Sequence, residues 1–221
     1  MNKDFLKLCP KMAALHERFG DCPIPNERGY SIYESLFRAI VFQQLSGKAA
    51  STILGRVLKL FDLEILGDIV TFPSPHAVLL MDEDALRGAG LSWNKIRAIK
   101  DLSQKKIDGV VPDNDVAHGL SDDELVERLI SVRGIGRWTV EMCLIFTLGR
   151  EDVWPADDLG VRKGFAHVYG HKEMPTPKEI MGMADHLRPF RSYAAWYCWR
   201  VCDELKPQKP AKGSPKAKGE K

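Results

Sequence analysis

Two carboxylates stand side by side at Asp157 and Asp158, after Val153-Trp154-Pro155-Ala156 and before Leu159-Gly160-Val161-Arg162. A helix is predicted to begin near Leu159, so one carboxylate has a structural use as its cap. Adjacent side chains point in different directions, which leaves the other available for chemistry. Aromatic rings gather at Trp138, Tyr193, Trp196 and Trp199. An electron-rich ring attracts a cation, by about 2 kcal/mol for a desolvated one over tryptophan. Rings at helical spacing serve equally well as core.

A second constellation is Gly134-Ile135-Gly136-Arg137-Trp138-Thr139. An amphipathic helix is predicted from Ser121 to about Val132, and another from about Gly136 to Leu148. Two glycines flanking one apolar residue allow left-handed backbone and close approach of a partner. Ile135 can plug between the helices and fix their angle. The second helix then directs free N–H groups outward, where they suit a phosphate. Arg133 and Arg137 flank the turn and add charge.

The elements that must position these groups are almost all helical. Capping boxes are predicted at Ser31 with Glu34, Ser121 with Glu124, and Thr176 with Glu179, the last with Pro177 at the first helical position. Further starts fit Ser74-Pro75, Asp82, Ser92 and Ser192; Gly88, Gly90 and Gly109 suit helix ends. Apolar residues recur at helical spacing: Leu36, Ile40 and Val41; Ile53, Val57, Leu58 and Phe61; Leu125, Leu129 and Val132. Ile69 to Phe72 is the one short strand candidate. A body of about ten short helices is predicted.

Composition bounds the function classes. With 221 residues, 44% hydrophobic and 28% charged, the chain can bury a globular core. Residues 206–221 hold six lysines and one glutamate among prolines and glycines, and are expected to be disordered. Setting them aside takes the chain from 32 basic and 30 acidic residues to 26 and 29. The body is mildly acidic, so affinity for a polyanion must come from a local patch, helix termini or the tail. No stretch approaches the roughly 18 apolar residues of a membrane span, and Lys3, Asp4, Lys7 and Lys11 interrupt any secretory signal. A cytoplasmic (nucleoid) or nuclear protein is expected, not secreted and with no membrane partner. Five scattered cysteines, Cys9, Cys22, Cys143, Cys198 and Cys202, speak against a disulfide framework. Cys143 is expected in the core. Cys198, Cys202, His167 and His171 lack the paired spacing of a metal site, and a packed helix is expected there.

Four motifs in order carry a resemblance. The hairpin, the Pro155-Ala156-Asp157-Asp158 loop twenty residues past Trp138, the segment Arg188 to Trp199, and the segment Ala39 to Ala50 with Gln43-Gln44-Leu45-Ser46 together resemble the endonuclease III superfamily of helix-hairpin-helix DNA glycosylases. The sequence looks closest to the DNA-3-methyladenine glycosylase II branch, over roughly Tyr30 to Leu205. The resemblance implies an all-α, two-lobed helical bundle with the active site in the cleft between the lobes. Residues 1–30 and 159–205 would form a terminal helical lobe, and 31–158 a helical barrel lobe with the hairpin at 121–148.

The same resemblance implies a monofunctional enzyme that flips alkylated purines (3-methyladenine, 7-methylguanine type) out of duplex DNA. It would hydrolyse the N-glycosidic bond and leave an abasic site. Asp158 would be the essential carboxylate, stabilising the sugar cation, with Asp157 capping or bracing the loop. Bifunctional relatives carry a Schiff-base lysine where this chain has Trp138. Trp138 and Trp199 match the family's base-pocket aromatics, and Tyr193 and Trp196 are further candidates. Gln44, then Leu45, would be the wedge filling the gap left by the base, with Ser46, Gly47 and Lys48 toward the minor groove or a phosphate. Gly134, Ile135, Gly136 and Arg137 would meet a DNA phosphate; Arg162 and Lys163 are weaker contacts. No cofactor is implied: the four-cysteine iron–sulfur run is missing, and no β-rich domain fits before Tyr30. No side-chain metal site is expected, although the carbonyls of Val132 and Ile135 suit a monovalent cation, as in relatives. The partner would be duplex DNA with alkylated bases, bound by a monomer. The competing readings are a helix-hairpin-helix DNA-binding protein without chemistry, a bifunctional glycosylase/lyase for oxidised bases, and a helical interaction scaffold.

Overall fold

The computed structural model describes residues 4–24, 29–63, 65–66 and 69–205. Among them are thirteen α-helices: α1 (Phe5–Leu8), α2 (Pro10–Phe19), α3 (Ile32–Phe42), α4 (Gly47–Lys59), α5 (Pro75–Leu80), α6 (Glu83–Gly88), α7 (Trp93–Ile107), α8 (Asn114–His118), α9 (Asp122–Ile130), α10 (Arg137–Phe146), α11 (Leu159–Tyr169), α12 (Pro177–Met183) and α13 (Arg191–Glu204). A 3-10 turn spans Asp185–Leu187. The strand candidate at Ile69 shrinks to a two-residue antiparallel ladder, Ile65–Leu66 (β1) against Ile69–Val70 (β2). The lysine-rich segment 206–221 lies outside the described residues.

The helix starts follow their caps. Ser31, Ser121 and Thr176 each close a full capping box, and Ser74, Asp82 and Ser92 accept from the backbone three residues on. Ser192 is the exception. Helix α13 begins at Arg191, and Ser192 lies inside it with its hydroxyl turned sideways to the chain before Asp158. The predicted hairpin helices are each shorter than expected, α9 ending at Ile130 and α10 at Phe146.

Leu36, Ile40, Val41, Val57, Leu58, Leu125, Leu129 and Val132 are buried as their spacing requires, while Ile53 and Phe61 pack against the core half-buried. One set of helices centres on α7, which packs on α3, α5 and α6, with α10 lying against α3 and α9. The other centres on the α11–α13 contact, to which α2 adds through α13. That contact is unusually close. A Cβ on Gly164 would lie 2.0 Å from the carbonyl oxygen of Cys198, so only glycine lets the two backbones meet. Cys198 is buried in this crossing and Cys143 in α10, where burial pushes its thiol up to about 12. Among the described residues no group of three or more His, Cys, Asp or Glu side chains is arranged to hold a metal. None of the described helices is long and apolar enough to cross a membrane.

Candidate active site and nucleic-acid interface

Asp158 is the N-cap of α11, its Oδ1 accepting from Val161 N–H at 2.8 Å. The cap assigned to Asp157 therefore belongs to Asp158, and Asp157 stands exposed beside it. Capping and chemistry are not alternatives for this side chain, because a carboxylate has lone pairs for both. Two indoles complete its setting. Trp199 Nε1 of α13 donates to Oδ1 at 2.8 Å, and Trp138 Nε1 of α10 donates to Oδ2 at 2.7 Å. The half-buried carboxylate thus joins both helix sets and is fixed in orientation by three N–H donors.

Close packing preserves this arrangement. A Cβ at Gly160 would sit 2.8 Å from Trp199 Cδ1 and 3.1 Å from Asp158 Oδ1. The loop before Asp158 is clamped to the start of α13. Arg191 pairs with Asp152 through Nε–Oδ1 at 2.7 Å and a second nitrogen to Oδ2 at 3.0 Å, and Ser192 Oγ accepts from Val153 N–H at 2.9 Å. Arg191 did not stand out in the sequence, and Ser192 did so only as a candidate helix start. Both lie in the Arg188–Trp199 motif, where the aromatics drew attention.

Beside Asp158 opens a cavity of about 730 Å³ between α3 and α10. Its walls include Tyr30, Phe42, Trp138, Met142 and Phe146, with polar edges from Ser35, Gln43, Gln44, Thr139 and Thr147. Trp138, half exposed, connects the cavity to the carboxylate, one indole serving both. Trp199 touches the wall from behind, its ring 5.8 Å from that of Phe146. Tyr193 does not belong here: it is 2% exposed, packed against Phe5 and Phe190, with its hydroxyl donated to Glu151. Trp196 also lies away from the cavity walls, edge-on to Tyr197 and under Arg200. Helical spacing put Tyr193 in the core and left Trp196 half-buried at its edge. Sequence reasoning overlooked Phe42, Met142 and Phe146 as wall residues, because an apolar residue facing a cavity and one facing the core have the same period.

The hairpin loop between α9 and α10 has Gly134 at φ 78° and Gly136 as N-cap of α10 without a side-chain cap. Its first-turn N–H groups consequently lack a side-chain acceptor, and a phosphate oxygen suits them. Ile135, 5% exposed, plugs the space beneath. Arg137 is held against Glu141, Nε to Oε1 at 3.1 Å. Glu141 is a buried carboxylate missed in the sequence; burial raises its pKa, Arg137 opposes this, and Asp157 and Asp158 reinforce it. Arg162, half-buried, donates its Nε to the Pro175 carbonyl at 2.8 Å.

The segment after α3 forms a tight turn, Leu45 N–H donating to Phe42 O at 3.3 Å. Gln44 sits within it at φ 57°, a left-handed backbone uncommon outside glycine and asparagine. Gln44, Leu45 and Ser46 are exposed, and Ser46 caps α4 through Ala49 N–H.

An all-helical scaffold with a glycine hairpin, a cavity and an adjoining oriented carboxylate defines a helix-hairpin-helix base-excision protein. The chain belongs to the HhH-GPD superfamily of base excision DNA repair proteins, whose family model matches residues 37–189. It is 40% identical to DNA-3-methyladenine glycosylase 1 of Schizosaccharomyces pombe, over 81% of this chain and 78% of that one. Among solved structures, the Schizosaccharomyces pombe 3-methyladenine DNA glycosylase Mag1 in complex with abasic DNA superposes with a TM-score of 0.74 and 36% identity, covering 90% and 96% of the two chains. The DNA-3-methyladenine glycosidase of Bacillus halodurans superposes with a TM-score of 0.78 and 30% identity, covering 90% and 88%.

Proposed function

We propose that this protein is a monofunctional DNA glycosylase that excises alkylated purines from duplex DNA and leaves an abasic site. The observation that carries the reading is Asp158, held by two indole N–H groups and a helix N-terminus beside an aromatic-walled cavity. As the bond from C1′ to the base nitrogen breaks, its electron pair leaves with the base and positive charge grows on the deoxyribose. A fixed carboxylate stabilises that charge without reorganising. Water then adds to C1′ and loses a proton. Alkylated purines of the 3-methyladenine type are cationic, so they leave readily and suit the Trp138 ring. The named relatives act in the same chemical class.

Trp138 also argues for water as nucleophile, since an indole forms no Schiff base and none of the cavity-lining residues is a lysine. Extruding the base costs a few kcal/mol, and the exposed Gln44–Leu45 turn is proposed to fill the gap. Gly134, Ile135, Gly136 and Arg137 are proposed to hold a backbone phosphate. The carbonyls of Val132 and Ile135 are oxygen donors suited to a monovalent cation; that of Val132 accepts from Ile135 N–H and keeps a second lone pair. Such an ion would add positive charge near the phosphate. The two helix sets, 31–158 and 159–205 with the amino-terminal helices, are proposed to act as lobes around one lesion, as a monomer. A nucleoid or nuclear location follows from such a substrate.

The test is a lesion panel (3-methyladenine, 7-methylguanine, ethenoadenine, hypoxanthine) with wild type and Asp158→Asn in parallel. Wild type should yield alkali-labile abasic sites from alkylated duplex, whereas Asp158→Asn binds without excising. Turnover by the variant, or a borohydride-stable DNA adduct with wild type, would reject this reading.

A further inference from the structure

The turn proposed as the wedge and the hairpin proposed to hold the backbone are far apart in sequence, yet one face of α7 supports both. Lys95, in the first turn of α7, donates its ammonium to Val41 O at 2.8 Å and Gln43 O at 2.9 Å. These are carbonyls at the end of α3, where a cation also meets the negative end of the helix. Lys95 is half-buried, and no carboxylate of the described residues forms an ion pair with it. Its charge is spent on the backbone immediately before Gln44. Two turns further along α7, Asp101 accepts Arg133 N–H of the hairpin at 2.7 Å, and Lys105 donates to Ser131 O while pairing with Asp101 at 2.9 Å. Between them Ala98 lies under Gly134, where a Cβ would meet it at 3.5 Å. Gln43 closes the frame directly, Nε2 donating to Gly134 O at 2.8 Å.

We propose that the Lys95–Ala98–Asp101–Lys105 face of α7, with the Gln43–Gly134 bond, is a strut fixing the Gln44 turn relative to the phosphate-binding hairpin, and that Lys95 is a positioning residue for base extrusion. The proposal rests on the reading of Gln44 as wedge and of the hairpin as phosphate site. The left-handed Gln44 backbone needs such support: the conformation is disfavoured by local sterics, and the Lys95 bonds hold the carbonyl that precedes it. Since the hairpin is seated on a phosphate, the strut carries that register to the wedge and sets how far Gln44 enters the stack. Lys95 does not line the cavity and touches neither Asp158 nor its indoles, so its effect falls on extrusion and not on bond cleavage.

The experiment measures single-turnover excision of 7-methylguanine from two duplexes, one with the lesion paired to cytosine and one with it opposite an abasic-site analogue, where pairing no longer opposes extrusion. Lys95→Met should slow the paired substrate about tenfold, the scale of losing charge-assisted bonds, and leave the unpaired one within about twofold of wild type. Lys95→Arg, which also offers several donors, should restore most of the paired rate. Combining Lys95→Met with Gln44→Ala should be no worse on the paired duplex than Gln44→Ala alone. If Lys95→Met is too unstable, Lys95→Gln should give an intermediate loss confined to the paired duplex. An equal loss on both duplexes, no loss on either, or additive losses in the double variant would overturn the strut. Gln44→Ala alone is the control for the reading beneath it: if that variant shows no selective loss on the paired duplex, the wedge assignment itself fails.

Discussion

At the scale of single residues, Asp158 combines tasks that sequence reasoning had divided between two aspartates. It caps α11, accepts both indoles and faces the site proposed for the sugar. Its variants should therefore separate. Asp158→Asn keeps one oxygen for the N-cap and Trp199 but turns an NH2 toward the Trp138 N–H, so it should lower melting by less than Asp158→Ala, which also gives up the cap, worth about 1 kcal/mol. Both should be inactive in excision. Gly160 makes a complementary prediction: the added methyl of Gly160→Ala lies 2.8 Å from Trp199 and 3.1 Å from the carboxylate oxygen. It should displace the indole and reduce kcat by about tenfold, the cost of one charge-assisted bond near 1.4 kcal/mol, while DNA affinity changes little. Retained kcat would show that the Trp199 bond is dispensable.

At the scale of elements, the helix crossings determine the site more than the helices themselves. The α11–α13 contact brings Trp199 to Asp158, and it exists because Gly164 admits the Cys198 backbone. Gly164→Ala must separate the helices. Overpacking of this kind costs about 1–3 kcal/mol, so lower melting and lower excision should appear together. Gly134→Ala tests a different cost. Its Cβ would make only an ordinary 3.5 Å contact with Ala98, but φ 78° is left-handed, which penalises alanine by about 1–2 kcal/mol. DNA binding should weaken by filter assay more than excision at saturating enzyme. Capping boxes, Pro177 and the hairpin glycines announced these elements correctly in the sequence, because caps are local chemistry. The start of α13 was misplaced by two residues, its N-cap being Phe190, because Ser192 spends its hydroxyl on Val153 and Arg150 across the fold.

At the scale of the whole molecule, charge decides two outcomes. Burial raises the Glu141 pKa above its usual value, so the folded state binds that proton more tightly than the unfolded chain does. The associated stability is present below the unfolded value and is lost as pH rises through the folded one. Glu141→Gln should thus gain melting temperature relative to wild type at pH 8 and lose that advantage near pH 4; the exposed Arg137 forfeits little with its partner gone. The lysines of 206–221 should strengthen nonspecific binding, so truncation after Leu205 should flatten the salt dependence by about 0.9 for each DNA phosphate they neutralise, with excision intact. The sequence by itself determined the helices, the glycine hairpin and the family motifs, since caps, periodicity and short turns are written in neighbouring residues. Only the tertiary structure decided that Trp138 and Trp199 converge on Asp158, that Tyr193 and Trp196 lie elsewhere, and that α7 braces two distant loops. Those facts depend on how closely backbones approach and which way a side chain faces across a helix crossing, and neither has a period in the chain.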